Sequence, residues 1–344
     1  MDPKAAARRY YLDELSRGVD RFFEPRREKC VWCGSAEIEE HLRSPDIVQH
    51  KPGVFILDKC RSCGHVFQNP RLSPEGLDFY YRDTYDGLGA KSTEFGFGLV
   101  VRDYRRRAQT LLAHAEPGSW LDVGTGFGHF CRTARRFWPR TRFSGLDRGA
   151  GVLLGLERGW IDEAHQGAFT ELAGELAGRY DVVSMHHYLE HTLDPAAEIR
   201  AAARVLGPGG HLQIEVPDPE SIFARLFGRR WFQWMQPQHL HMFPAANLEK
   251  ALTESGFTVV AVERDKADLG MDFVFASAVV LNAFGPRPTR PWAPKPPSFT
   301  GHVRFALAML LAVPVLPLAF VLDSTVRRLL PRRGNAYRII ARRD

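Results

Sequence analysis

The stretch SWLDVGTGFGHFCRTARRFWPRTRFSGLD, residues 119–147, decides the fold. It opens on a short apolar run suited to a buried strand, then breaks at once into three glycines, Gly124, Gly126 and Gly128. Glycine lets the backbone turn sharply there and leaves no Cβ in the way of a ligand. Helical spacing follows over 127–138, and RFSGLD (142–147) reads as a second strand ending on an acid, Asp147. A strand, glycine turn, helix and strand make the first part of a doubly wound sheet, which binds ligands outside the carboxyl ends of its strands. Asp147 stands about 25 residues beyond Asp122, where such a sheet meets the ribose hydroxyls of its ligand. A carboxylate offers those hydroxyls a pair of acceptors. The unit therefore reads as a site for an adenosine-bearing cofactor.

Further apolar runs continue the pattern outward: YDVVSMHH (180–187), HLQIEVP (211–217), FTVVAVER (257–264) and YRIIARR (337–343). Helical stretches at 150–159 and 195–206 separate the earlier ones. Strands alternating with helices imply a parallel sheet covered on both faces. The dinucleotide fingerprint GxGxxG would need glycine at position 129, where His129 stands, and this argues against a nicotinamide oxidoreductase.

The GxGxG spacing behind Asp122 resembles motif I of the class I S-adenosylmethionine-dependent methyltransferases. The stretch YDVVSMHHYLEHTLDPAAEIRAAARVLGPGGHLQIEVPD (180–218) resembles their fourth strand, the following helix and the PGG turn into the fifth strand. PQHLHMFPAANLEKALTESGF (237–257) resembles a segment of the small-molecule and lipid branches of that superfamily. The resemblance implies an α/β, doubly wound, seven-stranded Rossmann-like sheet. It implies S-adenosylmethionine held by Asp122, Gly124, Thr125, Gly126 and Gly128, with Asp147 on the ribose. Ala168 and Phe169 would lie near the adenine, where the family usually has a polar residue, and His186 and His187 would face the methyl group. The expected reaction is methyl transfer to a small-molecule or lipid-like acceptor, leaving S-adenosylhomocysteine.

Transfer from a sulfonium is an in-line displacement, so a base is needed only for a poorly nucleophilic acceptor. Histidine suits that role because its pKa lies near neutrality. The candidates are His187, His191, His239 and His241, and His187-x-x-Glu190-His191 spans about one helical turn. Three readings of this cluster stay open: a catalytic base, a second metal site with His239 as a further ligand, or a cap that merely orients the loop. Nucleic-acid methylation is not expected. MHHYLEH stands where an adenine methylase carries Asn/Asp-Pro-Pro-aromatic, and Cys131 lies in a helix as a small apolar residue.

Cys30-Val-Trp-Cys33-Gly34 and Cys60-Arg-Ser-Cys63-Gly64 read as two knuckles whose four thiolates suit a closed, structural zinc site. Redox CxxC pairs and unligated thiols are the alternatives. CRSCGHVFQNPRLSPEGLDFYY (60–81) resembles the zinc ribbon preceding the catalytic domain of certain sugar and natural-product methyltransferases. A zinc-containing nucleic-acid-binding protein is disfavoured, because no dense basic and aromatic stripe accompanies the ribbon.

The 344 residues suggest two domains, and 44% hydrophobic with 25% charged residues excludes wholesale disorder and a polytopic membrane protein. MDPKAAARRYYLDEL carries charge where a signal peptide needs an apolar core, so a cytoplasmic location is expected. The chain divides into a lead-in (1–29), the zinc-ribbon module (30–70) and a helical linker or lid (71–116) with Tyr80, Tyr81 and Tyr85 as anchors. The catalytic domain follows (117–284), then a proline-rich linker with an apolar hairpin (285–330) and a terminal strand of the sheet (331–344). FALAMLLAVPVLPLAFVL (305–322) has no charge, and Pro314 and Pro317 are expected to interrupt its helix. Because YRIIARR belongs to the same sheet, a shallow hairpin or monotopic insertion at the inner face of the plasma membrane fits better than one crossing. The alternative is a buried helical pair or a dimer interface. The net charge is +6, and seven arginines against Asp344 within 324–344 account for all of it, a basic group beside the apolar run.

Overall fold

The computed structural model describes residues 3–84, 90–99, 101–264, 267, 270–293, 295–329 and 334–344. Tyr85 and the first residues of the terminal segment, 331–333, lie outside the described residues. The backbone forms two compact units, each assembled from separated stretches of chain. The first comprises Met1–Thr84, Glu220–Leu240 and Gly270–Pro331; the second comprises Tyr85–Pro219, His241–Leu269 and Arg332–Asp344. Residues 220–240 and 270–284, read from sequence with the catalytic segment, are therefore part of the first unit.

In the first unit, helix α1 (Pro3–Ser16) precedes an antiparallel meander of β1 (Ile38–Ser44), β2 (Phe55–Cys60) and β3 (Val66–Gln68). Helix α2 (Pro74–Tyr81) follows, begun by Ser73, whose hydroxyl accepts the Gly76 N–H. Tyr11, Phe22, Phe55, Leu72, Phe79 and Tyr80 make the core. Lys51 is buried beneath it because its ammonium donates to the carbonyls of Phe79, Tyr80 and Arg82, at 2.7, 3.2 and 2.6 Å, at the negative end of α2. The proline-rich stretch is no free linker. Trp292 enters the same core and donates to the Gln49 carbonyl at 2.7 Å, while Arg8 reaches the carbonyl of Ala293 at 3.3 Å.

The second unit holds the sheet that the apolar runs predict. Its strands are β4 (Ser119–Val123), β5 (Arg142–Asp147), β6 (Glu163–Gln166), β7 (Tyr180–His186), β8 (Leu206–Pro217), β10 (Phe257–Glu263) and β11 (Ala336–Arg343), with β9 (His241–Met242) a two-residue piece. The order is β10-β11-β8-β7-β4-β5-β6, with β11 antiparallel to both neighbours. Helices α3 (Ala90–Leu99), α4 (Val101–Thr110), α5 (His129–Ala134), α6 (Gly151–Glu157), α7 (Phe169–Leu172), α8 (Pro195–Val205) and α10 (Ala245–Glu254) complete it. Trp120, Phe130, Phe143, Val182 and Ile340 pack one side, with Cys131 fully buried among them as a core thiol.

The remaining helices, α9 (Ile222–Phe227), α11 (Asp272–Phe284) and α12 (Phe299–Leu329), belong to the first unit. Helices α11 and α12 form an antiparallel pair fastened at both ends. At one end Gly285 lies so close to α12 that a Cβ there would stand 2.3 Å from the Arg304 carbonyl oxygen. At the other, Asp323 accepts the N–H groups of Phe273 and Val274 at 2.9 and 3.0 Å. These are first-turn donors of α11 that its own backbone cannot satisfy. The less exposed side of α12 repeats every three or four residues, through Gly301, Phe305, Ala308, Ala312, Val315, Ala319 and Asp323. The expected interruption at Pro314 and Pro317 does not occur, and α12 runs through both. Each proline removes one backbone bond, and both residues sit on the exposed side of the helix.

Candidate active site and metal centre

Strand β4 supplies Asp122, whose Oδ1 accepts the Ser184 hydroxyl of β7 at 2.6 Å. The chain then passes through Gly124, Gly126 and Gly128 at φ 74, 56 and 80°, a left-handed conformation costly for any other residue. Gly124 has a second reason: a Cβ would lie 2.7 Å from the ring of Tyr188. Gly124 and the buried Thr125 donate their N–H groups to the Leu146 carbonyl at 2.8 and 3.2 Å, which fastens the turn to β5. Gly126 donates to Asp147 Oδ2 at 2.9 Å and Gly149 to Oδ1 at 2.8 Å. Burial pushes the Asp147 carboxyl upward, against the pull of these N–H groups. Each oxygen keeps acceptor capacity, so the carboxylate fits a pair of ribose hydroxyls.

Register explains why these residues meet. Val123 pairs with Leu146 on one side and Met185 on the other, and Asp147 pairs with Gln166. Gly124, Asp147 and His186 thus end neighbouring strands at one level, at the point where the strand order reverses. Ala168 and Phe169 begin α7 beyond β6; Ala168 is buried and Phe169 completely so. His186 turns into the protein. Its Nδ1 lies 3.4 Å from Asp122 and its Nε2 3.1 Å from Gln213, with Phe130 against the ring.

His187 takes the other direction. At φ 50° it leaves the strand in the left-handed region, with its N–H on the Glu215 carbonyl at 2.8 Å. Its Nδ1 lies 3.1 Å from Oε1 of the buried Glu190, and its Nε2 lies 3.5 Å from Oε1 of Glu215. Burial alone would lower its pKa, but the two carboxylates outweigh it and raise the ring to about 9. His191 follows in the same 3-10 turn, Leu189–His191, and is half-buried. His241 is buried in the second unit, stacked on Phe243, and His239 belongs to the first unit, where its Nδ1 meets the Gln233 carbonyl at 2.6 Å.

Sequence reasoning missed what surrounds His187. Glu215 of β8 takes Arg107 of α4 at 2.8 and 2.6 Å and Arg338 of β11 at 2.9 Å, all three buried. Burial works against the Glu215 charge, yet the two guanidiniums and His187 hold its carboxyl well below the usual carboxylate range. The signal was an acid within IEVP and an arginine within YRIIA, both inside apolar strands. Tyr188, which covers Gly124 and donates to Glu198 at 3.1 Å, was missed as well.

In the first unit the two CxxC turns are near copies. Gly34 donates to the Cys30 carbonyl and Gly64 to the Cys60 carbonyl, at 3.0 and 2.9 Å, each glycine at φ 74°. The four sulfurs all lie within 4.8 Å of one another, with Cys30–Cys63 at 3.8 Å and Cys33–Cys60 at 3.6 Å. Four sulfurs about 2.3 Å from a tetrahedral zinc would stand about 3.8 Å apart, so the donor set fits that ion. Trp32 stacks on His65 beside them.

A glycine turn at the reversal of this strand order, with an acid closing the next strand, defines an α/β Rossmann-like methyltransferase fold. Residues 97–262 match the family model described as a methyltransferase domain. The ubiquinone biosynthesis O-methyltransferase of Cronobacter sakazakii is 37% identical over 128 residues, 35% of this chain and 52% of that protein. Its counterpart in Marinobacter nauticus is 36% identical over 131 residues, 35% of this chain and 54% of that protein. The chain spans about half the length of the curated relatives it matches. Among solved structures, an S-adenosylmethionine-dependent methyltransferase from Thermotoga maritima is 15% identical, with a TM-score of 0.46, over 77% of this chain and all of that one.

Proposed function

We propose that the chain transfers a methyl group from S-adenosylmethionine to an oxygen of a small, lipid-like acceptor. The observation that carries the reading is the alignment of the Gly124–Gly128 turn and Asp147 at the reversal of the sheet, within a stretch matching a methyltransferase domain. The names of the relatives support oxygen as the acceptor atom and a quinone-like small molecule as its class. When bound, S-adenosylmethionine supplies a sulfonium methyl that an acceptor oxygen displaces in line. Asp147 holds the ribose through its free acceptor positions, and the glycine turn, with the buried Asp122 and Thr125 beneath it, admits the rest of the molecule. Ala168 and Phe169 provide an apolar boundary for the adenine.

The residues beyond β7 face the acceptor in this reading. His187, ion-paired at both nitrogens, keeps its proton near neutral pH, so it orients Glu190 and donates rather than accepts. His191 is then the candidate base for the acceptor hydroxyl. A second metal at His187, Glu190 and His191 is not needed for this chemistry. Zinc held by Cys30, Cys33, Cys60 and Cys63 has a structural role, because closed coordination leaves no open position for substrate. The same reading puts the chain in the cytoplasm at the inner face of a membrane, where a lipid-like acceptor resides, and with no nucleic-acid partner.

The test is labelled methyl transfer into a cell extract split into lipid, small-molecule and macromolecular fractions. Label in the lipid or small-molecule fraction, lost with Asp147→Ala, is the expected result. Label only in macromolecules, or binding of NADH without S-adenosylmethionine, overturns the proposal.

A further inference from the structure

Helix α12 has the length and composition of a membrane span, yet it is built differently. Its apolar segment, about 27 Å long at 1.5 Å per residue, barely matches the hydrocarbon thickness of a bilayer. Both of its ends are fixed to one unit: the Arg304 end against Gly285, and the Asp323 end on the first turn of α11. Helix α11 is itself seated on that unit along its length. Phe275 stacks on Phe232 at 4.7 Å near its start, and Asn282 reaches the Ile47 carbonyl at 3.5 Å near its end. A crossing helix would have to send one of these ends through the bilayer.

The outward side of α12 is wide and has no hydrogen-bonding side chain from Phe305 to Leu322. Leu310 is 67% exposed, Val313 71% and Leu318 62%, and only 11% of the most apolar stretch is buried. A protein interface has a polar rim around its apolar centre. Here eighteen successive residues, Phe305 to Leu322, offer no polar side chain, which suits a fluid partner that makes no directional bonds. Arg304 and Arg328 are exposed at the two ends. Residues 285–329 hold six Lys and Arg but one acid, Asp323, whose carboxylate is committed to α11. The basic group seen in the sequence is thereby revised: Arg338 is buried on Glu215, and Arg342 and Arg343 belong to β11 of the second unit.

We infer that α12 is an in-plane docking helix, which sinks its outer side into one leaflet of an anionic phospholipid bilayer while both ends stay on the side of the first unit. This rests on the membrane part of the proposed function and is independent of methyl transfer. Buried apolar area supplies the attachment, and the flanking arginines select anionic headgroups.

Flotation of the full chain with vesicles of phosphatidylglycerol and phosphatidylcholine, or of phosphatidylcholine alone, gives the first reading. Binding at least tenfold stronger to the anionic vesicles is expected, falling at least tenfold in Leu310→Glu/Phe320→Glu with unchanged thermal stability. Single Thr300→Cys and Thr325→Cys variants in sealed inside-out vesicles from expressing cells give the second, the labelling of the parent chain being subtracted. Both should react with a membrane-impermeant maleimide. Reaction of only one shows a crossing helix and overturns the in-plane geometry while membrane attachment stands. No binding to either vesicle, or a soluble dimer dispersed by the double substitution, overturns both.

Discussion

Arg338 of β11 and Glu215 of β8 form a buried ion pair, with Nε 2.9 Å from Oε2, between residues 123 positions apart in sequence. Two arginines share this carboxylate, so its removal takes the nearest counter-charge from both buried guanidiniums, while Glu263, 3.4 Å from Arg338 Nη1, stays beside one of them. Glu215→Gln should cost about 3–5 kcal/mol of unfolding free energy. The carboxyl is depressed in the folded state, so its contribution is complete above the ordinary Glu value and is lost as pH falls below it. Urea unfolding at pH 7 and pH 4 measures both, and equal stability of the variant and parent at pH 7 would contradict the account.

Glu198 carries the opposite sign. Burial pushes its carboxyl from 4.5 up to about 7, although the Tyr188 hydroxyl at 3.1 Å pulls it back. The folded state therefore holds a proton that the unfolded chain has released, and stability declines as pH rises from 4.5 through 7. Glu198→Gln should be neutral at pH 4 and gain about 1–3 kcal/mol at pH 8. A melting-temperature difference that does not change with pH would reject this.

Asp147→Asn tests the ribose contact. The amide keeps an oxygen for one of the two backbone N–H groups but loses the charge and one acceptor. Calorimetry should show S-adenosylmethionine bound about 10–100-fold more weakly, the worth of one charge-assisted hydrogen bond. Unchanged affinity would remove Asp147 from the site.

Metal analysis should find about one zinc per chain, the content of a closed four-cysteine site. Cys60→Ser should lose it. The stacking of Trp32 on His65 provides an optical reporter, so a strong chelator should abolish their near-ultraviolet dichroism while leaving the dichroism of the second unit. Dichroism unaffected by complete metal removal would show that the knuckles stand without the ion.

Much of the second unit was legible because its signals are local. Parallel strands buried on both faces are short apolar runs, and each run from 119 to 217 and at 257 and 337 became a strand. Strand β6, EAHQ, has no such signature, because it is a half-exposed edge. The glycine turn and Asp147 could be placed by spacing alone. The ionic surroundings of His187 could not, since Glu215 and Arg338 meet through the pairing of β8 with β11, and Arg107 reaches them from the distant helix α4. The division into units was hidden for the same reason: residues 220–240 join the first unit by packing, with no marker of composition. Pro314 and Pro317 misled because helix propensity is weighed locally, whereas α12 is held at its ends by α11.

Strand β11 lies between β8 and β10, yet the chain reaches it only after the excursion through α11 and α12. Until it arrives, the sheet has an open seam with Glu215 facing a missing cation, so the second unit cannot close as its strands emerge in order. The apolar helix is made before that seam is filled. Assembly thus runs backwards from its simplest schedule: the segment suited to lipid is complete first, and the catalytic fold is sealed last by the eight residues Ala336–Arg343. A chain shortened before Ala336 would retain every residue proposed to touch the cofactor and lack Arg338, the second cation on the buried Glu215.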